Sequence, residues 1–239
     1  MKLTLFYFFL IASGLLFYLM SPLFPDQFPF QLGGGLVFWM GVAYLVMIPL
    51  RGVISTLREG VNWGIFLCYL AVHYVAYSLL LDRILGISPP TVFSVTYAPM
   101  SSVRLGNALG LFFSPSVTVG GSWFYLDLSF FSILMGMIIG LLVVGNIVEL
   151  RGRGFRYNLS IVGLPLLGIV SGSTCCISIA TVVAYYTPAL ALESLSPVLD
   201  VIYVGLPVIT AVFLWMNFMG IKRLMSGLFR REMKERVRS

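Results

Sequence analysis

The fold class predicted for this chain is an all-α polytopic integral membrane protein. It has six transmembrane helices, both termini cytoplasmic, and a long, partly ordered outer loop. Three observations predict it. Hydrophobic residues make up 59 % of the 239 positions and charged residues only 10 %, whereas soluble domains carry about 25 % charged residues. Apolar runs recur near the length of about 20 residues that crosses a hydrocarbon core. The basic residues also alternate with those runs. Lys2, Arg51, Arg58, Arg151, Arg153, Arg156, Lys222, Arg223, Arg230, Arg231, Lys234, Arg236 and Arg238 fall on one side, which is 13 of the 15 Lys and Arg. That split fits an even number of spans under the positive-inside rule.

The spans are read in order. The first covers about 3–20. Its apolar run exceeds the 7–15 residues of a signal-peptide core, and no A-x-A site follows, so it is read as uncleaved. The second covers about 34–50, entered through Gly33, Gly34 and Gly35 read as a flexible turn. The third covers about 61–81, the fourth 126–150, the fifth 159–187 and the sixth 198–221. Together residues 1–221 form one membrane domain. Residues 222–239 form a basic amphipathic cytoplasmic tail, with Leu224, Met225, Leu228, Phe229 and Met233 at helical spacing among Arg and Lys.

The outer loop 82–125 has a pattern of its own. Pro89-Pro90 forces an extended start. Residues 91–97 are rich in β-branched and aromatic side chains and read as a short strand. Val103–Phe113 reads as an interfacial or re-entrant helix ended by Pro115, and Gly120-Gly121 turns the chain into Trp123, Phe124 and Tyr125.

The net charge of +6 does not imply nucleic acid, because the basic residues flank apolar spans. The expected partners are the lipid bilayer, anionic lipid at the tail, and other membrane subunits. The expected location is a prokaryotic plasma membrane, crossed several times.

The most unusual chemistry lies in the fifth span, where Ser173, Thr174, Cys175 and Cys176 interrupt an apolar run. At 1.5 Å per residue that span is on the order of 44 Å long, against a core of about 30 Å. Pro165, Gly168 and Gly172 mark where it would break. Soft thiolates suit Cu(I) or Zn. The packing alternative is equally concrete: buried Cys acts as a small hydrophobe, and Gly168-x-x-x-Gly172 is a small-residue contact face. In the third span, Asn62, Phe66, Tyr69, His73 and Tyr77 share one helical face, and His73 is the only histidine. Cys175, Cys176 and His73 are therefore the candidate metal ligands, and Ser173, Thr174, Tyr69 and Tyr77 the accompanying binding candidates. Gly136-x-x-x-Gly140 in the fourth span reads as a helix contact face. A single histidine disfavours haem.

The Cys175-Cys176 pair resembles that of the bacterial mercuric-ion transport membrane proteins, which also carry vicinal cysteines within a span. The likeness covers the pair and the small residues before it. The six spans read here and the lack of a further loop cysteine pair depart from that pattern. The resemblance implies that a membrane helix can pass a soft ion through a Cys-Cys step.

Two functions follow as expectations. One is a membrane protein that binds or relays a soft metal ion, small solute or redox equivalent at the Cys-Cys site. The alternative is a non-catalytic membrane subunit of a larger respiratory or transporter complex, with the pair structural. An intramembrane thiol enzyme is the least favoured reading, since no C-x-x-C is present.

Overall fold

The computed structural model describes residues 2–58, 60–85, 92–121, 124–151, 204–205, 207–220 and 222. Helix α1 covers Lys2–Leu19, α2 Phe28–Ile54, α3 Gly60–Leu85 and α4 Phe130–Arg151. A further helix, α5, covers Pro207–Gly220. Three strands precede α4: β1 (Val92–Thr96), β2 (Ser116–Gly121) and β3 (Phe124–Ser129). They form an antiparallel sheet in the order β1-β2-β3.

Helices α1 and α2 form an antiparallel pair whose backbones touch. A Cβ on Gly34 would lie 2.6 Å from the Tyr18 nitrogen and 2.8 Å from the Gly14 oxygen. A Cβ on Gly14 would strike the Phe38 nitrogen, and one on Gly41 would lie 2.8 Å from Ile11 Cγ1. The glycine run therefore lies inside α2, where sequence reading placed a flexible turn. The same lack of a side chain that frees a turn also lets two helices close to backbone contact. Helix α2 starts six residues earlier than the span read from its apolar run. Pro29 sits in its first turn, where its missing N–H costs nothing. Asp26 Oδ1 accepts the Phe28 N–H at 3.2 Å.

Helix α4 is the central element. Ile139, Leu142, Val143 and Val144 are among its fully buried side chains. Its start is fixed by a reciprocal cap: Ser129 N–H donates to Ser132 Oγ at 3.0 Å, and Ser132 N–H donates to Ser129 Oγ at 3.2 Å. Two of the helix's orphan donors are thereby satisfied. The chain before Ser129 is extended, with Thr118 opposite Asp127 and Val119 opposite Leu126. The fourth span read from Leu126 was therefore part strand and part helix: Leu126 and Leu128 alternate with Asp127 and Ser129, a period-2 stretch too short to stand out beside the long apolar run of α4. The strand expected over 91–97 corresponds to β1. The helix expected over 103–113 is a 3-10 helix over Leu105–Phe112.

The expectation of an all-α six-span bundle is overturned. Among the described residues, only Phe28–Ile54 and Phe130–Glu149 are helices long and apolar enough to cross a membrane. Leu3–Leu19, Gly60–Val75 and Pro207–Gly220 are shorter apolar helices. The α4 stretch is 72 % buried inside the protein, as a core helix is. The described region is a mostly helical domain with a small open sheet. Without six spans, the parity that set both termini inside has no basis. The multi-pass plasma-membrane location and the partners drawn from it (bilayer, anionic lipid, membrane subunits) lose theirs as well. The fifth span, 159–187, and the tail 223–239 lie outside the described residues.

Candidate functional site

Of the sequence-derived site residues, the structure describes those on α3. His73 and Tyr69 come together on α3 with stacked rings, centroids 5.8 Å apart. Tyr77 lies one turn further along the same helix. Ser173, Thr174, Cys175 and Cys176 lie outside the described residues. Among the described residues, no group of three or more His, Cys, Asp or Glu side chains is placed to hold a metal ion. The described cysteine, Cys68, is exposed and free. The soft-metal relay is therefore withdrawn, and with it the transport and vicinal-cysteine reading. The complex-subunit alternative, drawn from the absence of soluble domains, the apolar outer loop and the basic tail, goes too.

His73 packs among aromatic rings and glycine. It is 7 % exposed. Tyr74 meets it edge-on at 5.2 Å. Across the seam, α4 presents Gly136 and Gly140. A Cβ on Gly136 would lie 2.6 Å from Tyr74 Oη, and one on Gly140 would lie 3.1 Å from both Phe66 Cε2 and Tyr69 Cδ1. The small residues of α4 thus admit the large rings of α3. His73 Nδ1 is buried without a hydrogen-bond partner among the described residues. Burial lowers the His73 pKa below its ordinary value, because the charged imidazolium loses its hydration.

A second polar centre was missed in the sequence. Gln31 is 0 % exposed. Its Nε2 donates to the Ala98 carbonyl at 2.8 Å and to Ser21 Oγ at 3.4 Å. Ser114 Oγ donates to Gln31 Oε1 at 3.4 Å and accepts the Ala98 N–H at 2.9 Å. Trp39 Nε1 donates to the Leu111 carbonyl at 3.0 Å. These bonds tie the chain between β1 and β2 to the α1–α2 end. Tyr18 lies beneath it, fully buried. Desolvation pushes its phenol up to about 12, while Ser114 pulls weakly the other way. Tyr18 Oη still makes no well-formed hydrogen bond among the described residues. The signal for this centre was legible: one glutamine in the apolar first half of a helix needs buried partners.

A third feature is apolar and faces outward. Leu5, Phe8, Phe9 and Leu16 recur on one side of α1 and are 74 %, 57 %, 66 % and 59 % exposed. The opposite side of α1 is held by the glycine seam. From Leu3 to Pro25 the sequence carries no charge. On α5, Val208, Ile209, Val212, Phe213 and Met216 are also exposed.

The chain matches no known family model, no curated protein and no solved structure.

Proposed function

We propose that this chain is a self-associating structural module, in which the exposed face of α1 docks on the same face of a second copy. The observation that carries this reading is the uncharged stripe of Leu5, Phe8, Phe9 and Leu16. Contiguous apolar faces of this kind are covered in the working state of a protein. Burying one large apolar side chain contributes about 1.5–3 kcal/mol, so covering a stripe from each partner is the largest stabilisation this surface can offer. The absence of charge favours a like partner. Two copies meeting through one face in an isologous contact bring no like charges together. The glycine seam behind α1 holds the stripe on a fixed backbone and limits the ordering cost of docking.

Sedimentation of the purified full chain over a range of concentrations tests the reading. The expected result is a discrete oligomer, with Phe9→Glu/Leu16→Glu shifting it to smaller species by at least tenfold in concentration. A monomer at every concentration would overturn the proposal. So would a chain kept dispersed only as one copy per detergent micelle, which would make the cover an amphiphile instead of a second copy.

A further inference from the structure

Among the described residues, β1 pairs with β2 alone, while β3 packs against α3. Among the described residues, the outer edge of β1 is therefore open. Its five residues, Val-Phe-Ser-Val-Thr, carry no charge, and the β1–β2 register runs unbroken from Val92↔Gly120 to Thr96↔Ser116. Proteins keep an edge strand single by placing a Lys, a Pro or a bulge on it, by making it very short, or by covering it with other chain. No Lys, Pro or bulge stands within β1. Phe93 and Val95 point to one face and are 76 % and 45 % exposed.

We propose that β1 pairs antiparallel with β1 of a second copy, about a two-fold axis at Ser94. This rests on the self-association reading above and assigns it a second contact, distinct from the α1 face. The strand is its own complement in that register. Ser94 lies opposite its own counterpart, Phe93 opposite Val95, and Val92 opposite Thr96. Each Phe93–Val95 pair sets an aromatic ring beside a β-branched side chain, a favourable cross-strand pairing. Alternate residues of β1 turn their N–H and C=O outward, so the added strand meets backbone groups ready to pair. A basic or acidic edge would repel its own copy, and this one carries nothing to do so. Pro89 and Pro90 precede the strand and Pro99 follows it, which confines the pairing to these residues and fixes its register. Two three-stranded sheets then become one continuous sheet across the axis.

Disulfide trapping in the full chain tests the register, with Cys68, Cys175 and Cys176 first replaced by Ser. Facing Cα atoms of an antiparallel pair lie about 4.5–5.5 Å apart, within the range of about 4.4–6.8 Å that a disulfide accepts. Ser94→Cys is therefore expected to form a covalent dimer on mild oxidation. Phe93→Cys places its thiols about 8 Å apart at the Cα atoms and is expected to give at least tenfold less. Adding Val95→Lys to Ser94→Cys is expected to abolish the dimer by setting lysines near the axis. No Ser94→Cys dimer, or equal yields from the two single-cysteine variants, would overturn the β1 pairing. If that happens while sedimentation still reports an oligomer sensitive to Phe9→Glu/Leu16→Glu, the α1 reading stands and only the β1 contact falls. A monomer in sedimentation with no trapped dimer removes both.

Discussion

The side-chain amide of Gln27 meets the backbone of Met100 twice. Its Nε2 donates to the Met100 carbonyl at 2.8 Å, and its Oε1 accepts the Met100 N–H at 2.8 Å. One side chain thus replaces both halves of a strand-like pairing, across 73 positions of sequence. With Gln31 on Ala98, it fixes the segment that leads from β1 into the 3-10 helix.

Removing these amides is expected to release that segment before the helices. Gln31 is wholly buried, so Gln31→Ala leaves the Ala98 carbonyl and the Ser114 hydroxyl short of a partner. Such a loss costs about 1–3 kcal/mol. Gln27→Ala exposes its partners to water more readily and is expected to cost about 0.5–1.5 kcal/mol. Hydrogen exchange reads the difference: the Ala98 and Met100 amides gain exchange in both variants, while those of α4 stay protected. Uniform loss of protection across α4 would place the role of Gln31 in the global core.

Neighbouring glycines in α2 are expected to respond with opposite signs. At Gly34 an added Cβ meets backbone on two sides, the Tyr18 nitrogen at 2.6 Å and the Gly14 oxygen at 2.8 Å. Backbone cannot yield as a flexible side chain can, and overpacking costs about 1–3 kcal/mol. At Gly33 nothing lies within 4 Å of such a Cβ. Gly33→Ala is expected to raise stability by about 0.5–1 kcal/mol through helix propensity. Thermal or denaturant unfolding of the two variants checks the pair. Equal effects would mean that α1 and α2 do not meet through Gly34.

The different fates of these glycines show how far the sequence could be read. Apolar runs marked the places of α1 to α4 without fixing their bounds, and the spacing of Asn62, Phe66, Tyr69 and His73 located a shared face on α3. Asn62, Phe66 and His73 are indeed buried there. The run Gly33–Gly35 was illegible, because its meaning depends on Gly14 and Tyr18 of another helix. Residues 126–129 were misread too, because Leu126 and Leu128 alternate with Asp127 and Ser129 over only four positions before the apolar helix begins. The break was carried instead by Ser129 and Ser132, a capping pair that hydropathy overlooks. Hydropathy also cannot separate an apolar helix that is covered by its own chain from one that is not, and so six spans were read where α4 is largely covered. The α1 stripe is visible only once the glycine seam shows which side of α1 is taken.

Asn146 joins α4 to α5 and is expected to couple with Asn217. It is 0 % exposed. Its Nδ2 donates to the Leu142 carbonyl at 2.8 Å and the Leu214 carbonyl at 3.1 Å, while its Oδ1 accepts from Asn217 Nδ2 at 3.0 Å. Asn146→Leu leaves the Asn217 amide without its partner, for about 1–3 kcal/mol. In the double variant Asn146→Leu/Asn217→Leu no amide is left stranded. The double loss is expected to fall short of the summed single losses by about 0.5–2 kcal/mol in a mutant cycle. Strict additivity would show that the two side chains act separately.

His73 is expected to make stability fall on mild acidification. Burial holds its folded pKa below the ordinary histidine value of 6.5. The groups facing it on α3 are Tyr69 and Tyr74, and α4 presents Gly136; none of these supplies a negative charge at neutral pH. Below about pH 6.5 the unfolded chain therefore binds a proton at His73 that the folded chain refuses, and stability declines as pH drops. The contribution is fully present above the unfolded value and is lost progressively as pH falls from there toward the folded value. His73→Phe keeps a ring against Tyr69 and removes the titration. Carboxylates titrate in both proteins, so the informative quantity is the difference between wild type and variant. That difference is expected to be constant above about pH 7 and to move in favour of His73→Phe between about pH 6.5 and pH 5. A difference that stays flat across that window would mean that His73 is protonated as readily in the folded chain as in the unfolded one.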